Sequence, residues 1–136
     1  MYKFDNKNVV YIAYVGRHKN EELFKYGKSY KLFRREYMAH RKSFDQFDMV
    51  VVKLTDNKDI VEDMFEKELM IRDLHRSLVI NKKRQTELFT ISDQYSFDYI
   101  HKLLCRIIRN NPSYEVEILQ KKIVELKAQL KAQKYL

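Results

Sequence analysis

Two short stretches decide the fold: Val9–Gly16, which reads VVYIAYVG, and Leu23–Ser29, which reads LFKYGKS. Both are rich in β-branched and aromatic residues, which are typical of strands. Because the polar residues 17–22 separate them, the two stretches predict an antiparallel hairpin with a long loop. The chain has only two glycines, Gly16 and Gly27, and each lies near the end of one stretch. We expect them where the backbone needs positive φ or where another group approaches closely.

The spacing of apolar residues predicts the elements that follow this hairpin. Five are expected: a helix over residues 31–43, a buried strand over 47–54, a helix over about 59–78, an edge strand or extended segment over 86–91, and a helix over 94–109. The hairpin and the buried strand together make a small three-stranded antiparallel sheet flanked by helices. The predicted fold class is therefore α/β, of the α+β kind.

The helix predicted over 59–78 begins with Asp59-Ile60-Val61-Glu62, which has the form of a capping box. In such a box the Asp59 side chain accepts from the first-turn amides and Glu62 reaches back to Asp59. This interpretation explains Glu62 without chemistry and favours Glu66 as the acidic residue available for a site. The alternative for Glu66 is an ion pair with a basic neighbour on the helix surface.

The chain divides near its one proline, Pro112. Since proline interrupts a helix, residues 1–111 are expected to form one domain and residues 112–136 a separate amphipathic, coiled-coil-like helix. Apolar residues of this helix fall at heptad a and d positions, namely Val116, Leu119, Ile123, Leu126 and Leu130. The stripe predicts a homodimer through residues 114–136, and a helix folded back on its own domain is the alternative.

Composition favours an anionic partner. The formal net charge is +8, and lysines and arginines that neutralise phosphates release counterions on binding. Incidental lysine enrichment from an AT-rich genome is the alternative explanation.

The longest apolar run, Val9 to Val15, is seven residues, far short of the ~20 that span a membrane. We therefore expect a soluble, intracellular protein with no membrane partner, located in the host cytoplasm or nucleus if it is viral.

The order of the motifs resembles the GIY-YIG nuclease superfamily, and the pattern is most similar to the T5orf172-type branch of phages and large DNA viruses. The resemblance covers about residues 8–91. It is carried by Val10-Tyr11-Ile12, Phe24-Lys25-Tyr26-Gly27-Lys28-Ser29, Leu32-Phe33-Arg34-Arg35, a helix bearing Glu66, and Thr86-Glu87-Leu88-Phe89.

This resemblance implies cleavage of DNA phosphodiester bonds with one divalent metal ion, Mg²⁺ or Mn²⁺. Tyr11 corresponds to the tyrosine that activates or orients the attacking water, and Lys25 stands where the second tyrosine would be. Gly27 matches the motif glycine. Arg35 corresponds to the arginine that steadies charge on the scissile phosphate, and Glu66 to the glutamate that binds the metal.

Four secondary candidates follow from the same resemblance: Tyr26, His40, Asn81 and Glu87. The family histidine falls four residues after the arginine, where this chain has Ala39, so His40 is one place off. The late asparagine of the family could match Asn81, whereas Glu87 fits the T5orf172 pattern better.

Nucleic-acid contacts are expected from Lys28, Arg34, Arg41 and Lys42, most of them on the first helix. A tyrosine acts as a base at neutral pH only if a nearby cation, such as Lys25 or Arg35, favours the phenolate. Tyr11 could equally be an ordinary strand residue, and Lys25 and Arg35 could face solvent. The sequence therefore predicts a metal-dependent DNA endonuclease. The alternative is a non-catalytic nucleic-acid-binding or protein-interaction module that retains the GIY-YIG fold.

Overall fold

The structure is a computed structural model that describes residues 2–112 and 114–133. Its centre is one five-stranded sheet in which all neighbouring strands are antiparallel. The strands are β1 (Val9–His18), β2 (Glu21–Ser29), β3 (Asp48–Leu54), β4 (His75–Ile80) and β5 (Lys83–Thr90), in the order β3-β1-β2-β5-β4. The mixed α+β class is confirmed, but the sheet has five strands and the prediction of three was wrong.

Helical segments surround this sheet. A 3₁₀ turn, Tyr2–Phe4, precedes β1, and a π-helical segment, Leu32–Tyr37, runs directly into α1 (Met38–Ser43). The longer helices are α2 (Lys58–Ile71), α3 (Phe97–Asn110) and α4 (Tyr114–Gln133). No helix among the described residues is long and apolar enough to cross a membrane.

The β1–β2 hairpin is tighter than predicted. Pairing continues to His18 and Glu21, so the connection is only Lys19-Asn20, and both residues have positive φ. Two positive φ values suit the twist of a two-residue hairpin turn. The polar residues 17–22 are therefore mostly strand rather than loop, and Arg17 and Glu22 form an ion pair across the hairpin at 3.4 Å.

Helix α2 ends earlier than predicted, at Ile71 rather than near residue 78. Its end is a Schellman-type cap, in which Leu74 N–H donates to the Leu69 carbonyl and Asp73 N–H to the Met70 carbonyl. Asp73 takes the positive φ that glycine usually supplies at this position. The chain then reverses into the β4–β5 hairpin, whose turn is Asn81-Lys82, again with positive φ at both residues.

The sheet buries both faces. One face packs on α2 and α3 through a large apolar cluster that includes Ile12, Tyr26, Phe65, Phe89 and Leu104. The opposite face packs on the segment around α1 through a second cluster that includes Tyr11, Leu32, Phe44, Phe47 and Leu88. Alternation along β1 and β2 therefore sends neighbouring residues to different faces, as a pleated strand requires.

Strands β2 and β5 pair over only three residue pairs, from Leu23–Thr90 to Lys25–Leu88. Beyond Lys25, β2 continues to Ser29 and stays paired with β1. The part of β5 that leads from Leu88 back to Lys83 is paired with β4. The two strands thus separate in the middle of the sheet. This separation leaves room for polar side chains at a place where the rest of the sheet is packed.

Helix α4 presents its predicted stripe to solvent. Leu119, Ile123, Leu126 and Leu130 are between 51% and 63% exposed. Val116, Ser113 and residues 134–136, which belong to the same predicted element, lie outside the residues whose side chains are described. The described part of the stripe is thus uncovered in the single chain.

Candidate active site

A pocket of about 250 Å³ opens where β2 and β5 separate. Its lining residues come from the sheet, the π-helical segment, α1 and α2: Tyr11, Lys25, Gly27, Lys28, Glu36, His40, Glu62 and Glu87. Hollows along α4 are bounded by residues of that helix alone. Two of the four predicted catalytic residues, Tyr11 and Lys25, therefore share a pocket with three other predicted residues, Lys28, His40 and Glu87.

Tyr11 lies flat against the backbone of β2 at Gly27, its cross-strand partner. A Cβ atom at Gly27 would lie 2.6 Å from the Tyr11 hydroxyl oxygen and 2.7 Å from its Cζ atom. The Tyr11 side chain is only 1% exposed, so it has little room to withdraw. Gly27 thus serves close approach, whereas Gly16 serves positive φ (+99°) at a register shift in β1.

We expect Gly27→Ala to destabilise the protein by about 1–3 kcal/mol, because the added methyl group overpacks a buried ring. The measurement is chemical denaturation of Gly27→Ala, Tyr11→Ala and the double variant. If the clash is the cause, the double variant loses less than the sum of the two single changes. Additive losses would show that Tyr11 is not what excludes a side chain at position 27.

The Tyr11 hydroxyl donates to Glu36 Oε2 at 3.0 Å, and His40 Nε2 lies 2.9 Å from the same oxygen. Burial opposes ionisation of Glu36, but the hydrogen bonds from His40 and Tyr11 outweigh it and lower the Glu36 pKa. Burial raises the pKa of Tyr11 well above its ordinary value, and the Glu36 carboxylate raises it further. Tyr11 is therefore a hydrogen-bond donor here, and the phenolate considered from the sequence is disfavoured.

Lys25 is the buried cation of the pocket. It is 5% exposed, and its Nζ donates to Glu87 Oε2 at 2.9 Å. A buried ammonium group needs such a partner because desolvation otherwise favours its neutral form. Lys25 and Leu88 are the last residue pair before β2 and β5 separate, and Glu87 directly precedes Leu88. The ion pair thus closes one end of the pocket.

Glu62 is a carboxylate that the structure leaves unsatisfied. Its side chain is buried, with the residue 8% exposed, and Oε2 has no hydrogen-bond partner among the described residues. Burial, and then the neighbouring Glu87 carboxylate, raise the pKa of Glu62 from 4.5 to about 7. A group poised in this way near neutral pH, in a cleft, is a candidate for chemistry or for binding a cation.

The capping box predicted at this helix end does not form. Asn57 precedes the first residue of α2 and makes no side-chain cap. Asp59 instead pairs with Lys28 at 2.8 Å, which holds Lys28 at the rim of the pocket and lowers the Asp59 pKa. Glu62 is consequently free of the capping role and points its carboxylate into the pocket lining.

Arg35 and Glu66, the other two predicted catalytic residues, do not line the pocket. Arg35 is exposed on the π-helical segment, and the next residue, Glu36, faces the pocket instead. Glu66 lies one turn beyond Glu62 and approaches His75 Nε2 at 3.4 Å. Glu62 is therefore the alternative to Glu66 as the ligand of the predicted metal ion.

The remaining predicted residues lie outside the pocket. Burial, followed by the nearby Glu66 carboxylate, raises the pKa of Tyr26, which packs in the core beneath α2. Asn81 forms the β4–β5 turn and donates to the Ser43 carbonyl. Of the basic residues on the first helix, Arg34 approaches Asp5 at 3.6 Å, and Arg41 lies over the Tyr37 ring. Lys42 is exposed at the end of α1.

Sequence reasoning missed two pocket carboxylates, Glu36 and Glu62. Glu36 carried a usable signal, because it precedes His40 by four residues and such residues share one helical face. Glu62 carried the opposite signal, since its spacing from Asp59 is that of a capping box.

Comparisons of this chain with family models, with curated proteins and with solved structures found no match.

Proposed function

We propose that the protein is a metal-dependent DNA endonuclease of the GIY-YIG type. The observation that supports this most is the convergence of Tyr11 and Lys25 with His40 and Glu87 in one pocket. These residues belong to separate motifs of the sequence, to which the resemblance assigns phosphodiester chemistry. Phosphoryl transfer needs little beyond a positioned nucleophile and cations around the oxygens, and this pocket offers groups for both.

The donor set fits a hard divalent cation. No group of three or more His, Cys, Asp or Glu side chains in residues 2–112 and 114–133 forms a preassembled metal cage. Mg²⁺, however, commonly uses one or two carboxylates and keeps several waters. Glu62, whose Oε2 atom has no partner in the part of the chain that the structure describes, would supply these ligands together with Glu87. A cation held there would neutralise charge on the phosphate and lower the pKa of bound water.

The chain's own residues would position the reacting groups. Because Glu36 is ionised, it accepts hydrogen bonds from both Tyr11 and His40, so His40 donates through Nε2. His40 Nδ1 is buried and has no hydrogen-bond partner among the described residues, so the role of the imidazole here is to orient the Glu36 carboxylate. Lys25 and Lys28 line the same pocket and supply positive charge near a bound phosphate.

The alternative, a non-catalytic nucleic-acid-binding or protein-interaction module, is favoured by one specific observation. The residue after Arg35 presents a carboxylate, Glu36, to the pocket, and no arginine of residues 2–112 and 114–133 lines it. The stabilisation that the resemblance assigns to Arg35 would have to come from lysines. An intracellular location is part of the proposal, because both candidate functions act on DNA or its partners. Homodimerisation through residues 114–136 stays a prediction.

Cleavage of supercoiled plasmid tests the proposal. We expect nicking with Mg²⁺ or Mn²⁺, none with a chelator, and a loss of at least about a hundredfold in Lys25→Met, since removing one preorganised electrostatic group costs about that much. Lys53→Met, which removes a lysine from β3 outside the pocket, is the matched control. Absence of cleavage by the wild type with every metal and substrate would favour the binding module.

A further inference from the structure

The β4–β5 hairpin, which the sequence did not predict, brings a second basic segment to the end of α1. Its turn residue Asn81 donates from its side-chain amide to the Ser43 carbonyl and to Asp45 Oδ1, both at 3.1 Å. The next three residues are Lys82, Lys83 and Arg84, and all three are exposed. The tip of the hairpin is therefore joined to the chain that follows α1.

The hairpin is held in this place by its apolar side. Leu78 and Ile80 of β4 pack against the same cluster that contains Phe44 and Phe47, the residues just after α1. Apolar packing beneath and hydrogen bonds at the turn fix the position of the tip. Its cations thus form part of a defined surface rather than a free flap.

Five exposed cations lie on the two segments that this junction brings together: Arg41, Lys42, Lys82, Lys83 and Arg84. None of the five forms an ion pair with a carboxylate of the described residues, whereas several other cations do, including Lys28, Arg72, Arg76 and Lys102. Unpaired surface cations retain the counterions whose release drives binding to a phosphate backbone.

We propose that this junction, formed by residues 41–42 and 82–84, is the surface that holds the backbone of double-stranded DNA beside the pocket. The choice of DNA rests on the proposed function. His40, which lines the pocket, directly precedes Arg41 in α1, so the α1 end of the surface lies within one residue of the pocket lining. Segments 41–43 and 81–84 contain no aromatic residue, and single-strand binding relies on aromatic stacking. Backbone contact with a duplex fits this composition.

Fluorescence anisotropy with a labelled DNA duplex, in a chelator that prevents cleavage, tests this surface across a range of salt. The tip variant is Lys83→Gln/Arg84→Gln. The matched control is Arg106→Gln/Arg109→Gln, which removes two exposed arginines from α3, a helix that packs on the opposite face of the sheet. Both variants lower the net charge by two, so the control accounts for long-range attraction.

We expect the tip variant to flatten the dependence of log affinity on log salt by up to about 1.8, at about 0.9 for each lost phosphate contact. The control should keep the wild-type slope. Equal slopes for the tip variant and the control would overturn the proposal, as would tighter binding of single-stranded DNA or duplex RNA. A slope difference in a protein that cleaves nothing would support the surface while overturning the endonuclease.

Discussion

Glu62→Gln is expected to lower metal-dependent DNA cleavage by at least about a hundredfold, because it replaces a buried carboxylate oxygen of the pocket that has no hydrogen-bond partner among the described residues. Glu66→Gln, one turn further along α2, should stay within about threefold of the wild type, because Glu66 does not line the pocket. Both changes replace a carboxylate by an amide of the same shape on the same helix, so the comparison isolates position.

The assay is plasmid nicking at several Mn²⁺ concentrations, with circular dichroism to show that both variants remain folded. A rightward shift of the Mn²⁺ dependence in Glu62→Gln alone would assign the metal role to Glu62. If Glu66→Gln lost activity while Glu62→Gln kept it, the assignment drawn from the family resemblance would be right and the pocket assignment would be wrong.

Glu62 should also make the stability of the metal-free protein depend on pH. Its pKa is about 7 in the folded chain, against an ordinary value of 4.5, because burial and Glu87 disfavour the charged form. Glu66 acts in the same direction, whereas Lys28 and Lys25 oppose the shift. The folded state therefore holds a proton that the unfolded state releases between these values. This contribution is fully present below pH 4.5 and is lost as the pH rises through 7.

The expected loss is about 1–3 kcal/mol between pH 5 and pH 8. It is measured by chemical denaturation of the wild type and Glu62→Gln in a chelator at several pH values. The amide does not ionise, so the difference between the two curves isolates Glu62. Because a metal and a proton compete for the same oxygen, Mn²⁺ affinity should fall by about tenfold per pH unit below 7. Parallel stability curves would contradict the raised pKa.

Much of the fold was accessible from the sequence because local signals agreed with tertiary structure. The strands around Tyr11 and Lys25 and the helix over 94–109 carry apolar periodicity that matches their burial. The strand over 47–54 forms as β3, but it lies at the edge of the sheet with only Val51 buried among its residues, so the prediction that it is buried was wrong. The β4–β5 hairpin was hidden, since Asp73, rather than glycine, terminates α2 in a positive-φ conformation. The apolar residues after Ile71 keep helical spacing, so the sequence pattern does not indicate that α2 ends at the Asp73 cap.

The site was only partly accessible for reasons that can be traced to single residues. Alternation along β1 and β2 brought Tyr11 and Lys25 to one face. The π-helical segment, with its wider turn, shifts the helical register, and Glu36 rather than Arg35 meets Tyr11. Glu62 was assigned to a helix cap whose partner, Asp59, pairs with Lys28 instead. These contacts join distant segments, and a local pattern does not specify them.

The proposed metal site is tested most directly by the position of a bound metal ion, measured as the anomalous signal of Mn²⁺ in a crystal of the wild-type protein grown near pH 8. We expect one strong peak in the pocket, bounded by Glu62 and Glu87. A peak beside Glu66 and His75 with none in the pocket, or no peak at Mn²⁺ concentrations that support cleavage, would contradict it.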